Sequence, residues 1–225
     1  MGTLYNRWQK KYLCAQRQRP REFRVERLFV SAREGARKKK EDQKIQGGKE
    51  LKSVLLGGGI IAYPTESVYG LGCDPKNESA VNKLLSIKNR SLDMGLILVG
   101  SSTKGIDDWL NISSQQMETL LAPTKKPTTY LLPVTHEVPC WIIGKHSSLA
   151  LRISTMPIIK TLSEILGCPV VSTSANTHGQ QTLETTEQVQ KEFSEVLDYI
   201  VEGDCGTFNK PSTIIDIATG KEIRP

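Results

Sequence analysis

Three stretches of this chain gather side chains suited to binding oxygen-rich ligands. Tyr63-Pro64-Thr65-Glu66-Ser67-Val68-Tyr69-Gly70-Leu71-Gly72 places hydroxyls, a carboxylate and two glycines after a short apolar run. An ordinary strand-to-helix loop reads the same way. Lys88-Asn89-Arg90 stands where a helix should end. Two cations there either complement the helix dipole or form a forked site for phosphate or carboxylate. Ser172-Thr173-Ser174-Ala175-Asn176 follows a β-branched strand. Its four hydrogen-bonding side chains make either a turn or a holder for nucleotide oxygens. All three stretches lie at element ends, where α/β folds usually place ligands.

The familiar alternatives are missing. There is no G-x-x-x-x-G-K-[ST], no G-x-G-x-x-G and no G-x-S-x-G. Gly57-Gly58-Gly59 precedes a strand and reads as a turn rather than a phosphate cradle. His136, His146 and His178 are isolated, and the cysteines at 14, 73, 140, 168 and 205 contain no C-x-x-C pair, so the pattern offers no zinc site. An odd cysteine count also argues against a disulfide framework and for a reducing, cytoplasmic setting.

The elements that must position these residues alternate from residue 50 onward. Ile60–Tyr63, Leu96–Val99, Thr128–Pro133, Leu149–Ser154, Val170–Ser172, Asp198–Val201 and Thr213–Ile217 read as strands. Val81, Leu84, Leu85 and Lys88 recur at helical spacing behind the caps Asn77 and Ser79. Ser113 and Gln116 form a capping box for a helix to about Leu121. Met156–Leu166 is helical and stops at Gly167, and a further helix covers Glu187–Phe193. This mixture predicts one α/β domain of unspecified strand order.

With 38% hydrophobic and 24% charged residues, the chain can bury a core. No apolar run approaches the roughly 18–20 residues of a membrane helix. The net charge of +6 is unevenly placed. Residues 1–50 carry 15 Lys and Arg against 6 Asp and Glu, whereas residues 51–225 carry 15 against 18. The expected organisation is a basic, unstructured extension over residues 1–46 and a folded domain over 47–225. A basic tail attracts RNA phosphates without sequence preference.

Order and spacing make the motifs specific. Tyr-Pro-Thr-Glu, Tyr-Gly-Leu-Gly-Cys-Asp, Lys-x-Arg, Ser-Thr-Ser-Ala-Asn and the closing Pro211-Ser212-Thr213-Ile214-Ile215-Asp216 resemble the YrdC/TsaC family of threonylcarbamoyl-AMP synthases. The likeness runs from about residue 50 to the C-terminus. It implies a twisted mixed sheet with helices packed around it and an open cationic cleft. The implied reaction converts L-threonine, bicarbonate and ATP into threonylcarbamoyl-adenylate and pyrophosphate, with Mg2+ on the phosphates. The product would feed the transfer machinery that modifies adenosine 37 of tRNA, and contact with tRNA itself would follow. By resemblance, Lys88 and Arg90 carry the catalytic charge, Thr65 and Tyr69 contact threonine, and Thr129, Ser148, Arg152, Ser174 and Asn176 hold the nucleotide. Many members have Trp-Pro-Gly-Pro where this chain has Thr124-Lys125-Lys126-Pro127, and proline where Ser91 stands. The competing expectation is a non-catalytic RNA-binding protein that uses the extension and the cleft. A third is a carbamoyl-transfer domain, which would use carbamoyl phosphate and ignore threonine.

Overall fold

The computed structural model describes residues 46–177, 180–208 and 210–225. The expected extension, residue 46 apart, and His178 therefore lie outside the described residues. Backbone contacts divide the chain into Met1–Lys49 and Glu50–Pro225, and the second unit carries the whole sheet.

Its strands are β1 (Ile61–Pro64), β2 (Tyr69–Gly72), β3 (Ile97–Gly100), β4 (Thr128–Pro133), β5 (Ser148–Ile153), β6 (Val170–Ser174), β7 (Tyr199–Ile200), β8 (Thr213–Asp216) and β9 (Glu222–Arg224). They form one mixed sheet in the order β7-β1-β2-β6-β3-β5-β4-β8-β9. Pairs β1/β7, β3/β5 and β4/β8 are parallel and the other five are antiparallel. The helices are α1 (residues 50–56 within this unit), α2 (Glu78–Lys88), α3 (Ser114–Leu121), α4 (Cys140–Ile143), α5 (Pro157–Leu166) and α6 (Thr186–Phe193).

Successive strand residues point to opposite faces, and each face has its own core. Ala62, Leu71, Leu98, Leu151 and Val171 meet the buried side of α2, formed by Ala80, Val81, Leu84 and Leu85. Their neighbours Ile61, Tyr63, Val99 and Val170 meet Leu51 and Leu55 of α1 and Ile159 and Leu162 of α5. Each such aliphatic, fully buried, contributes about 1.5–3 kcal/mol. The second face changes character along β6: Val170 is covered, but Ser172 and Ser174 follow at the same period. Gly70 lies opposite Ser174 on β2, so small and hydroxylated residues floor this half of the sheet.

The expected strands are present to within a residue or two, as is the Ser113–Gln116 capping box. Helix α2 is capped by Asn77 alone, whose side chain accepts from the Ala80 N–H at 3.0 Å. The first motif differs from expectation. Residues 69–72 form a strand antiparallel to β1 rather than a loop leading to a helix. Glycines disfavour strands in general, but here they make room for an aromatic ring. A Cβ on Gly72 would stand 2.8 Å from Tyr63 Cε1 and 2.4 Å from the Val171 oxygen. Helix α4, strand β9 and the helical start at α1 are additions the sequence pattern did not announce.

Candidate active site

The β1–β2 hairpin turns through Thr65 to Val68. The Thr65 hydroxyl donates to the Val68 oxygen at 2.7 Å and accepts weakly from the Ser67 N–H at 3.4 Å, which closes the turn. Residues 203–208, and Lys210 beyond them, run alongside. Gly206 N–H donates to the Thr65 oxygen at 2.8 Å, Phe208 N–H to the Glu66 oxygen at 3.1 Å, and the Ser67 hydroxyl to the Lys210 oxygen at 3.1 Å. A Cβ on Gly206 would lie 2.5 Å from the Glu66 oxygen, so only glycine permits this approach.

Helix α2 ends because Asn89 adopts the left-handed conformation at φ 47°, with its N–H directed to the Leu85 and Ser86 carbonyls. That turn sends the two cations of Lys-x-Arg in different directions. Lys88 continues the buried stripe of α2 and is only 3% exposed. Its ammonium donates to the Ser174 oxygen at 2.5 Å, to the Asn176 side-chain oxygen at 2.6 Å and to the Asn176 backbone oxygen. Burial, and next the Arg90 charge, pull its pKa down to about 8. Arg90 is half-buried, not the exposed helix-end residue that a terminal position suggests. It lines the cleft, its Nη2 donates to the Gly95 oxygen at 2.8 Å, and burial lowers its pKa.

The turn after β6 is tied to Lys88. The Ser174 hydroxyl donates to Asn176 Oδ1 at 2.7 Å, and Asn176 Nδ2 donates to the Gln180 oxygen at 2.7 Å. Ser174 lines the cleft, while Asn176 buttresses it from behind. On β5, Arg152 reaches the same cleft and meets Glu66, Nη2 to Oε2, at 3.3 Å, with side chains 11% and 16% exposed.

The remaining expected residues fall at varied depths. Thr129 is fully buried, and its hydroxyl shares a 2.8 Å hydrogen bond with the Ser212 hydroxyl, so Ser212 rather than Thr129 faces the cleft. Ser148 shares Arg152's sheet face from the start of β5 but does not line the cavity. Tyr69 turns its ring into the first core. Its hydroxyl is engaged with Thr186 Oγ1 at 2.6 Å and donates to the Gly203 oxygen at 2.7 Å. Tyr69 nonetheless contributes to the cavity wall, with this hydroxyl already engaged within the protein. Thr124, Lys125 and Lys126 are exposed and lie off the cavity wall.

Sequence reasoning missed Arg224. It stands on the three-residue strand β9, paired through Ile214↔Arg224, and donates to the Ser212 oxygen at 3.0 Å from Nε and 2.8 Å from Nη2. Burial, then the Arg152 charge, lower its pKa. Arg90, Arg152, Arg224 and Lys210 thus surround a cavity of about 360 Å³, with Glu184 as its lining carboxylate. Such a cleft can neutralise phosphate and carboxylate oxygens and orient them with hydroxyls. Among the described residues no three His, Cys, Asp or Glu converge as a metal cage.

The Sua5/YciO/YrdC family model, described as "Telomere recombination", matches residues 53–225. A threonylcarbamoyl-AMP synthase of Xanthomonas campestris pv. campestris is 41% identical over 175 residues, covering 76% of this chain and 94% of that protein. One from Marinobacter nauticus is 43% identical over 175 residues, covering 77% and 92%. Among solved structures, P. abyssi Sua5 complexed with L-threonine aligns at TM-score 0.69 and 27% identity over 76% of this chain. This chain spans about half of that longer protein, 51%. E. coli YciO aligns at TM-score 0.64 and 25% identity, covering 79% of this chain and 87% of that one. The family model takes in every strand that builds the cleft, and relatives above 40% identity span the same region, so the chain belongs to the Sua5/YciO/YrdC family.

Proposed function

We propose that this chain is a threonylcarbamoyl-AMP synthase. The observation that carries the reading is the convergence of Arg90, Arg152, Arg224 and Lys210 on one hydroxyl-floored cavity. The names of the bacterial relatives and the threonine-bound Sua5 support it. The amine of L-threonine takes up CO2 from bicarbonate as a carbamate. A carbamate oxygen then attacks the α-phosphorus of ATP, and pyrophosphate leaves, which makes the step a nucleotidyl transfer. Such transfer depends on alignment and on neutralising charge at phosphate oxygens more than on covalent help.

In this reading Arg90 and Arg224 face the phosphates, and the Ser174 hydroxyl orients phosphate or ribose oxygens. Lys88 and Asn176 hold that hydroxyl in place and add a positive charge behind it. Thr65 and Ser212 border the threonine, with Thr129 fixing Ser212. Arg152 takes a carboxylate or carbamate. Mg2+ would arrive on the triphosphate, supplying charge to its oxygens, because the cleft residues are donors and cations rather than a carboxylate cage. The product serves the machinery that modifies tRNA at adenosine 37, which puts the enzyme in the cytoplasm beside its tRNA.

The test is pyrophosphate release by the full chain from ATP and bicarbonate, with and without L-threonine. Release that depends on threonine is expected. No release from a folded ATP-binding protein would overturn the reading and favour the RNA-binding alternative, and threonine-independent release would overturn it in favour of the carbamoyl-transfer alternative.

A further inference from the structure

Tyr63 crosses a whole strand to reach the cleft floor from beneath. Its ring passes β2 at the two glycines: a Cβ on Gly72 would stand 2.8 Å from Tyr63 Cε1, and one on Gly70 3.4 Å from Tyr63 Cζ. The same point above Gly70 lies 3.4 Å from the Ser172 hydroxyl on β6, so the phenol ends beside that serine. Tyr63 is fully buried and does not line the cavity, whereas Ser172 lines it and is 8% exposed.

A phenylalanine would fill the space between the glycines equally well, so packing does not account for the hydroxyl. Among the described residues that hydroxyl makes no hydrogen bond. A buried hydroxyl left in that condition costs stability. Burial raises the phenol pKa, and the facing Ser172 hydroxyl pulls it back. The charges acting on the phenol are Arg152 and Glu66, which are paired with each other at 3.3 Å. Two oxygens can therefore take the phenol proton, Ser172 Oγ and Glu66 Oε2.

Proton counting favours the serine. A serine hydroxyl has one proton to give and lone pairs to accept with. Arg90, Arg152, Arg224 and Lys210 select a ligand whose oxygens are anionic acceptors. Such an oxygen draws the Ser172 proton into the cavity, which leaves the serine lone pairs for the phenol. The reverse order would aim the Ser172 oxygen, rather than its proton, at an anion.

We propose that Tyr63 is a positioning residue of the cleft: with substrate bound, its hydroxyl donates to Ser172 Oγ, and Ser172 donates its own proton to an anionic oxygen of the substrate. The inference rests on the synthase reading. It also gives the glycines of β2 a purpose beyond packing, since they open the path by which a hydroxyl on β1 reaches a serine on β6.

The test measures threonine-dependent pyrophosphate release and urea unfolding for the full chain as wild type, Y63F, S172A and the double variant. Y63F should lower kcat/KM by about three- to tenfold, the scale of one hydrogen bond. Its unfolding midpoint should match the wild type or rise, because the substitution breaks no hydrogen bond within the described residues. A purely structural tyrosine would show the opposite, with altered stability and unchanged turnover of the folded enzyme. S172A should lose about tenfold, and the double variant should stay within about twofold of S172A, because the phenol acts only through that serine. Separate KM values for ATP and L-threonine identify the substrate whose oxygen Ser172 holds. Penalties that multiply in the double variant would mean that the phenol acts on Glu66, and they would overturn the proposal. So would wild-type kcat/KM in Y63F. If S172A fails to fold, S172C keeps the size but offers only a weak donor and acceptor, and adding Y63F to it should cost less than about twofold. A wild type without threonine-dependent release removes the synthase reading itself. Release that Y63F leaves unchanged removes only the role of Tyr63.

Discussion

Arg90 serves the cleft and its own loop at once. Its guanidinium faces the cavity, and it also holds the Gly95 oxygen at 2.8 Å. Arg90→Ala should therefore lower threonine-dependent pyrophosphate release by about 100-fold or more. It should also cost about 1 kcal/mol of stability in urea unfolding, because a half-buried carbonyl loses its donor. Wild-type turnover would remove Arg90 from the site. Lys88 makes a prediction of a different kind. Its pKa in the fold is near 8, whereas an unfolded chain keeps lysine protonated to about 10.4. Between those values the unfolded state binds more protons, so the Lys88 contribution to stability rises with pH across that window; below about 8 it is flat. The unfolding free energy of the wild type minus that of Lys88→Met should rise from about pH 7 to about pH 9.5. A constant difference would mean that the three oxygen acceptors around the ammonium hold its proton. The types of both residues were legible in Lys88-Asn89-Arg90, but their separate destinations were not. The split depends on the left-handed Asn89 and on a β6 turn 86 residues further along.

At the scale of elements, Gly70 and Gly72 show why β2 reads as a loop and folds as a strand. Local propensity opposes a strand, and the tertiary context reverses it: Tyr63 on the neighbouring strand packs its ring where two side chains would otherwise stand. Gly72→Ala would bring a Cβ within 2.4 Å of the Val171 oxygen in the middle of the sheet. Backbone cannot swing aside as a side chain can, so a loss of about 2–3 kcal/mol in urea unfolding is expected. A near-neutral result would show that β2 and β6 can separate locally. Longer elements with periodic burial, such as α2 and α5, were legible because their own residues carry the signal. Strand β9 was not, because three residues, two of them charged, show no alternation. Its existence follows only from pairing with β8, and with it the arrival of Arg224 at the cleft. No local pattern distinguishes that arginine from any charged residue near a chain end.

Across the whole molecule, the cleft draws on Thr65 at the first hairpin and on Arg224 one residue from the C-terminus, joined through a single sheet. The two ends of the chain should therefore differ in what they contribute. The family match begins at residue 53, and the compact unit that bears the cleft begins at Glu50. A chain starting at residue 47 should keep threonine-dependent pyrophosphate release within about twofold of the full chain, since no described cleft residue is lost. Arg224→Ala removes little buried apolar surface but leaves the Ser212 oxygen without its two guanidinium donors and takes one cation from the cavity. Turnover should fall by about tenfold to 100-fold, with a smaller change in the urea midpoint. The two chains, assayed side by side at matched folded concentration, separate the alternatives. Activity lost with residues 1–46 and kept without Arg224 would place the chemistry with the extension. The reverse pattern would assign it to the cleft, with the last strand as a working wall.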